Sequence, residues 1–399
     1  MKKLPYGISN YEKIIEENYK YVDKTQYIEK LENLSEPNIM FLRPRKFGKT
    51  LFTSVLENYY DVKKKDKFEK LFGETYIGKN PTPNKNGYDI LRFNFSGIDT
   101  STVGSTIQGF KNKVANSITL FVNQYNIDFY VNYEQEAEEI LDSLFKAFEL
   151  QKLGEKIYVI IDEYDHFANE LLGFHPEEFK SLVSKNGKIR KWYEILKQGT
   201  ETVVDRIFIT GVAPITLDSL TSGFNIGSDI TQDERFNEMM GFTQEELVQI
   251  LEEQEISKEE QQEILPIMKE NYDGYKFTLK GKEKIYNSNM CLYFLSNYTW
   301  SREIPNKLID MNIASDYSKL ASMLNLCRGE NREEIIKKTI SGEGIGEEII
   351  QKFNPAVEFT EKEMISMLYY LGYLTIQGEE FGYPILGIPN KVMKEFWIT

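Results

Sequence analysis

Apolar and polar positions along the chain follow two periods, and the switches between them outline most of its elements. The unbroken apolar runs Ile39-Met40-Phe41-Leu42 and Ile157-Tyr158-Val159-Ile160-Ile161 predict strands buried on both faces, as in a parallel sheet. Tyr88-Asp89-Ile90-Leu91-Arg92-Phe93-Asn94-Phe95 alternates as a strand, and residues 205–211 predict another. Helical spacing recurs at about 12–17, 26–34, 51–60, 68–72, 103–124, 133–149 and 177–201, with Asn10 placed to cap the first. Strands that alternate with helices predict an α/β fold: a parallel sheet core with helices on both faces.

Past residue 240 the pattern turns helical. Residues 212–240 carry Gly223 and Gly227 and predict an irregular connection. Thr243-Gln244-Glu245-Glu246 and Thr360-Glu361-Lys362-Glu363 are capping-box sequences, opening helices that run to Glu253 and to Leu371, where Gly372 stops the second. Asn271 to Phe277 predicts an aromatic turn, and a further helix is expected near 290–298. Ser341-Gly342-Glu343-Gly344-Ile345-Gly346 has the glycines of a dinucleotide fingerprint, but no strand precedes it, so it predicts a loop. Residues 373–377 and 383–388 predict a hairpin that, with the helix before it, makes a winged-helix-like unit. The expected division is a P-loop domain at 1–240 and a mainly helical lid with the winged-helix-like region at 241–399.

Composition narrows the classes. At 399 residues the chain has room for two or three domains, and 41% hydrophobic with 28% charged residues is ordinary for a globular protein. No apolar run reaches the ~18 residues of a membrane span, and no apolar segment follows the basic start, so a cytoplasmic, membrane-free protein is expected. Cys291 and Cys327 are too few for a disulfide framework, and His166 and His175 too few for a histidine metal site. The net charge of −14 argues against a broad nucleic-acid surface. Lys185, Lys188, Arg190, Lys191 and Lys197 make a local basic strip, expected to be a solvated helix face.

The chemistry concentrates in three places. Arg43-Pro44-Arg45-Lys46-Phe47-Gly48-Lys49-Thr50 lies between a predicted strand and a predicted helix, the setting of a phosphate-binding loop. Backbone N–H groups of Arg45, Lys46, Phe47, Gly48, Lys49, Thr50 and Leu51 would hold phosphate oxygens. Lys49 would neutralise the β- and γ-phosphates, and the Thr50 hydroxyl would sit on Mg²⁺. Arg43 stands where the usual loop has its first glycine, which implies a modified loop geometry in which Arg43 or Arg45 adds a cation near the phosphates. Downstream, Asp162 and Glu163 end the second buried strand, where open α/β sheets bind ligands. Asp162 would bind Mg²⁺, and Glu163 would polarise the attacking water. Thr210, at the end of the next strand, is placed to contact the γ-phosphate or that water. Tyr6, Ile8 and Tyr21 are candidates for an adenine pocket, and Arg235 for an arginine acting across an oligomer.

Taken together, these segments resemble the predicted AAA-ATPase-like family of prokaryotes. The matching pieces are Leu4-Pro5-Tyr6-Gly7-Ile8-Ser9, Tyr21-Val22-Asp23-Lys24-Thr25, the 43–50 loop, Asp162-Glu163-Tyr164-Asp165, Ile209-Thr210-Gly211-Val212, the stretch from Phe236 to Thr243, Tyr272-Asp273-Gly274-Tyr275 and Ile388-Pro389-Asn390. In that family the loop resembles Arg-Pro-Arg-x-Phe-Gly-Lys, so Arg43 is a family trait. The resemblance implies ATP binding, Mg²⁺ and an ASCE-type P-loop core, often fused to a C-terminal nuclease of the PD-(D/E)xK type. The chain stops nine residues after Asn390, and no Asp with Glu-x-Lys follows the hairpin. The leading expectation is a slow ATPase that acts as a nucleotide-gated switch for a protein partner or C-terminal effector. The alternatives are a nucleotide-holding module without hydrolysis and a DNA-processing protein.

Overall fold

The computed structural model describes residues 2–151, 154–174, 187–214, 227–310, 320, 324, 332–351, 353 and 360–398. His175, Lys185, Gly223, Cys327 and the first part of the helix expected at 177–201 lie outside them. The first half runs α1 (Tyr11–Glu16), α2 (Gln26–Glu32), β1 (Asn38–Leu42), α3 (Lys49–Tyr60), a 3-10 turn, α4 (Phe68–Phe72), α5 (Tyr76–Lys79) and β2 (Tyr88–Asn94). It continues with α6 (Val103–Tyr125), α7 (Ala137–Leu150), β3 (Lys156–Asp162), α8 (His166–Phe174), α9 (Lys188–Gly199), β4 (Val204–Gly211) and β5 (Ser228–Asp229). The second half has α10 (Gln244–Glu253), α11 (Lys258–Tyr272), α12 (Ser288–Ser301), α13 (Arg332–Ser341), β6 (Ile345–Gly346), α14 (Glu361–Tyr370), β7 (Thr375–Glu380), β8 (Tyr383–Gly387) and α15 (Lys391–Ile398).

The five strands β1 to β5 form one parallel sheet in the order β2-β3-β4-β1-β5, consistent with a P-loop-like core. The acidic strand β3 is therefore not next to β1: β4 lies between them. Alternate residues of each strand enter opposite cores, as a sheet covered on both faces requires. Ile39 and Phe41 pack with the side of α3, and Met40 and Leu42 with the side of α6 and α7. Ile157, Val159 and Ile161 join the latter, and Tyr158 and Ile160 the former.

Local signals hold where a cap fixes an end. Asn10 accepts from the Lys13 backbone N–H at 2.9 Å and starts α1. Thr243 and Glu246 bond reciprocally at the head of α10, and Thr360 and Glu363 do so at the head of α14. On α9, Ile189, Trp192, Tyr193 and Leu196 are buried, while Lys188 and Arg190 pair with Glu136 and Glu194, the solvated face expected of it. Several elements went unforeseen, among them the helices α5, α8 and α15. Helix α11 carries Pro266 within it, α13 lies in a polar stretch, and β5 and β6 are two residues each. Strand β6 falls in the segment expected to be a loop, where Ile345 and Gly346 pair with Leu386 and Ile385. Strands β6, β8 and β7 form a small antiparallel sheet.

The second half shares the core of the first rather than standing apart. One apolar cluster runs from Val159 and Leu42 through Leu247 and Phe294 to Leu368 and Trp397. At the join, Gly274 has φ +103°, and a Cβ there would sit 2.0 Å from the Pro389 carbonyl oxygen, so only glycine fits.

Asp89, 5% exposed at the start of β2, yields a pH prediction. Burial, then Glu155 and Asp61, raise its carboxyl to about 7, against a smaller opposing pull from Lys63. Because the folded-state value lies above the unfolded one, the folded chain holds an extra proton between roughly pH 4 and 7, and stability falls as pH rises through that window. Asp89→Asn is expected to stabilise the protein at pH 8 by on the order of 1–2 kcal/mol, with the gain shrinking toward pH 5. Urea midpoints at the two pH values check this, and an equal gain at both rules it out.

Candidate functional site

The loop between β1 and α3 owes its shape to two left-handed residues, Lys46 at φ +70° and Gly48 at φ +92°. Helix α3 begins at Lys49 itself, two residues earlier than its apolar spacing suggested, so its first N–H groups face the loop. The loop's side chains divide between two sides. Arg45, Lys46, Gly48, Lys49, Thr50 and Leu51 line a cavity of about 470 Å³, within the ~300–1,000 Å³ typical of small-molecule sites. Arg43 and Phe47 point the other way, into the protein, though Phe47 also touches the cavity wall.

Arg43 is the main correction to the sequence reading. It is 1% exposed and adds no cation to the cavity. Its guanidinium donates to the carbonyls of Leu42 and Thr231 at 2.8 Å and of Phe236 at 3.0 Å. It lies between the rings of Phe41 and Phe277, 4.0 and 4.2 Å from their centres. Burial pulls its pKa below the usual arginine range. Of the two arginines it is Arg45 that reaches the cavity, where its Nη2 lies 3.3 Å from His166 Nδ1.

Lys49 is 5% exposed and folds back on its own loop, where Nζ donates to the carbonyls of Arg43 at 3.0 Å and Pro44 at 2.9 Å. Burial lowers its pKa, while Glu163, Asp165 and Asp162 act to raise it. These three acids come from one sharp turn after β3. Glu163 takes φ +54°, a costly conformation for a residue with a Cβ, and faces the cavity. Asp165 turns back and accepts from the backbone N–H of Val212 and Ala213, the latter at 2.7 Å. It braces the end of β4, and a Cβ on Gly211 would come within 2.1 Å of its carboxylate.

Asp162 is fully buried, and neither carboxylate oxygen has a hydrogen-bond partner among the described residues. The nearest cation is Arg92 on β2, at 3.6 Å. Burial raises the Asp162 carboxyl, and Arg92, then Thr50 and Lys49, act to lower it. A buried carboxylate with two unmet oxygens beside a threonine hydroxyl fits a divalent cation, so Thr50 and Asp162 suit Mg²⁺. Thr210 is brought close in the sheet but does not line the cavity. It is fully buried, and its hydroxyl donates to the Phe41 carbonyl at 2.8 Å.

The opposite end of the cavity is apolar. Its wall is made by Ile8, Tyr21 and Val22 from the N-terminal segment, Met240 from the end of the first half, and Phe242, Ile250 and Leu292 from the second half. Tyr6 is not in this wall. Its hydroxyl donates to Asp310 at 2.6 Å and its ring packs on Tyr293. Lys20 and Lys24 pin the segment to α10 through Glu253 and Glu246, both at 2.6 Å. Arg235 is exposed, pairs with Asp233 and lies outside the cavity wall. The sequence reading missed Arg92, His166, Met240, Phe242 and Leu292, whose roles come from packing across long sequence separations. Met240 and Phe242 carried a signal, through the family-like stretch from Phe236 to Thr243.

A family described as predicted AAA-ATPase matches residues 5–221, just over half of the chain. The chain is also similar to an uncharacterized protein in the vnfD 5′ region of Azotobacter chroococcum mcd 1. The two are 27% identical over 317 residues, covering 78% of this chain and 56% of that relative.

Two outcomes follow from the buried charges. Asp162→Asn removes a buried charge that Arg92 at 3.6 Å offsets only in part, and should stabilise the ligand-free protein by on the order of 1 kcal/mol, seen as a raised Tm. A lowered Tm would mean that the Asp162 charge is already well compensated. Arg43→Gly takes a charged donor from three carbonyls and opens a cavity between two rings, so a loss of roughly 3 kcal/mol or more is expected in denaturant titration.

Proposed function

The chain belongs to the predicted AAA-ATPase family, and from that premise we propose that it binds ATP with Mg²⁺ and hydrolyses it slowly as a nucleotide-gated switch. The supporting observation is one cavity that joins an apolar wall, a lysine-bearing loop at a helix N-terminus and the Glu163 carboxylate. The adenine ring packs between Ile8, Tyr21 and Val22 on one side and Met240, Phe242 and Leu292 on the other. The phosphates lie along residues 45–51, where backbone N–H groups and the start of α3 favour anions. Lys49 exchanges its two loop carbonyls for phosphate oxygens, trading neutral acceptors for charged ones. Thr50 and Asp162 would hold Mg²⁺, which supplies positive charge against the phosphates when bound. Glu163 accepts a proton from the attacking water. Thr210 holds β4 to β1 behind the loop, and its part in hydrolysis is positional.

The switch reading rests on where the cavity lies. Residues 1–240 supply the loop and the acids, and residues 241–399, the lid with its winged-helix-like unit, supply Gly241, Phe242, Ser288, Asn289 and Leu292. Nucleotide therefore bridges the two parts, and its state can be passed to a protein partner or a C-terminal effector. The net charge of −14 disfavours DNA as that partner.

Purified protein with Mg·ATP tests the reading. ATP at a hundredfold over Kd should stabilise the fold by about 2.7 kcal/mol, and Lys49→Ala should abolish that shift. Glu163→Gln should keep the shift and lose phosphate release. Binding without release in the wild type would favour the nucleotide-holding alternative, and no shift at all would refute ATP binding.

A further inference from the structure

His166 opens α8 and lines the cavity, and three ionisable side chains meet its ring. Nδ1 lies 3.3 Å from Arg45 Nη2 and 3.4 Å from Glu163 Oε2. Nε2 lies 3.4 Å from Glu170 Oε1. Arg45, Glu163 and His166 line the same cavity as Lys49. Glu170 also accepts from the Thr100 hydroxyl at 3.3 Å, which steadies it behind the ring.

The chemistry of one nitrogen makes this arrangement two-state. A guanidinium only donates, so its bond to Nδ1 needs the lone pair there, and the ring proton then sits on Nε2 toward Glu170. A carboxylate only accepts, so Glu163 can bond Nδ1 only when that nitrogen carries the proton. The neutral ring cannot serve both at once. An anionic phosphate oxygen is a stronger acceptor for Arg45 than a neutral imidazole, and it would draw the guanidinium off the ring.

Building on the ATP reading above, we propose that His166 is a positioning residue that makes Glu163 responsive to the terminal phosphate. Without that phosphate, Arg45 occupies Nδ1 and Glu163 is unguided. With it, Arg45 turns to the phosphate, Nε2 gives its proton up to water as Nδ1 takes one from water, and Nδ1–H orients the Glu163 carboxylate toward the attacking water. ADP lacks the group that recruits Arg45, so the device separates ATP from ADP.

The test measures Mg·ATP and Mg·ADP affinity and single-turnover phosphate release in wild type, Arg45→Ala, His166→Ala, His166→Asn, His166→Gln and the Arg45→Ala/His166→Ala double variant. His166→Ala should keep ADP affinity within about twofold while release slows about tenfold or more. Asparagine places a polar atom where Nδ1 stood and should restore most of the rate; glutamine, which mimics Nε2, should not. Arg45→Ala should bring ATP affinity down toward that of ADP, and the double variant should be no slower than the slower single one, because the two act in series. Parallel loss of ADP and ATP affinity in His166→Ala with a lowered Tm, equal rescue by asparagine and glutamine, or additive losses in the double variant would each overturn the proposal. A wild type that binds no nucleotide overturns the ATP reading itself. A wild type that turns over ATP through Lys49, with His166→Ala equally fast, overturns only the role of His166.

Discussion

The buried guanidinium of Arg43 is the constraint on which the rest of the site depends. It is a full charge in the interior, held by carbonyl oxygens of Leu42, Thr231 and Phe236 and by two ring faces. Each hydrogen bond from a charged donor is worth roughly 1.5–3 kcal/mol, and leaving any of these carbonyls unmet would cost a similar amount. Those contacts join the end of β1, the connection after β5 and the aromatic turn at 275–277. With these three fixed, the root of the loop cannot shift on its own. The loop's remaining ties run the same way. Gly241 donates to the Phe47 carbonyl, Asn289 to that of Lys46, and Phe47 sits edge-on between Tyr275 and Phe277.

A loop so tightly held on its inner side is free to present its outer side. Several features at the cavity or just behind it are poorly satisfied. Lys49 makes do with two neutral carbonyls, Asp162 is buried with unmet oxygens, and Glu163 adopts a left-handed backbone. Local strain of this kind persists where surrounding structure enforces it, and it collects at functional sites. The turn from Asp162 to Asp165 illustrates the enforcement. Asp165 is bonded to two backbone N–H groups at the end of β4, so Glu163 has to make the reversal in a single residue.

Much of this was legible in order along the chain. The buried runs at 39–42 and 157–161, the loop with Gly48-Lys49-Thr50 and the acids after β3 are local patterns whose chemistry does not depend on distant partners. The capping boxes at Thr243 and Thr360 located helix starts for the same reason. Legibility ended where a residue's role depends on what lies across the fold. Arg43 and Arg45 are two positions apart and look equivalent in sequence; one lies in the core and the other at the cavity. Tyr6 and Ile8 belong to one short segment, yet only Ile8 reaches the apolar wall. Helix α11 escaped notice because Pro266 reads as a breaker, and β5 and β6 because two residues carry no period.

By itself, the sequence determined the alternation of strand and helix, the parallel character of the sheet and the position of Lys49 in the loop after β1 and of the acids at the end of β3. Backbone periodicity and short-range hydrogen bonding govern those features, and both are written within a few residues. Only the tertiary structure decided the strand order that sets β4 between β1 and β3, and the facing of Arg43 inward. The same holds for the pairing of Arg92 with Asp162, the meeting of His166 with Arg45 and Glu163, and the closing of the cavity by residues 239–292. Those depend on contacts between segments far apart in the chain, where burial and charge compensation act on whichever groups the fold brings together.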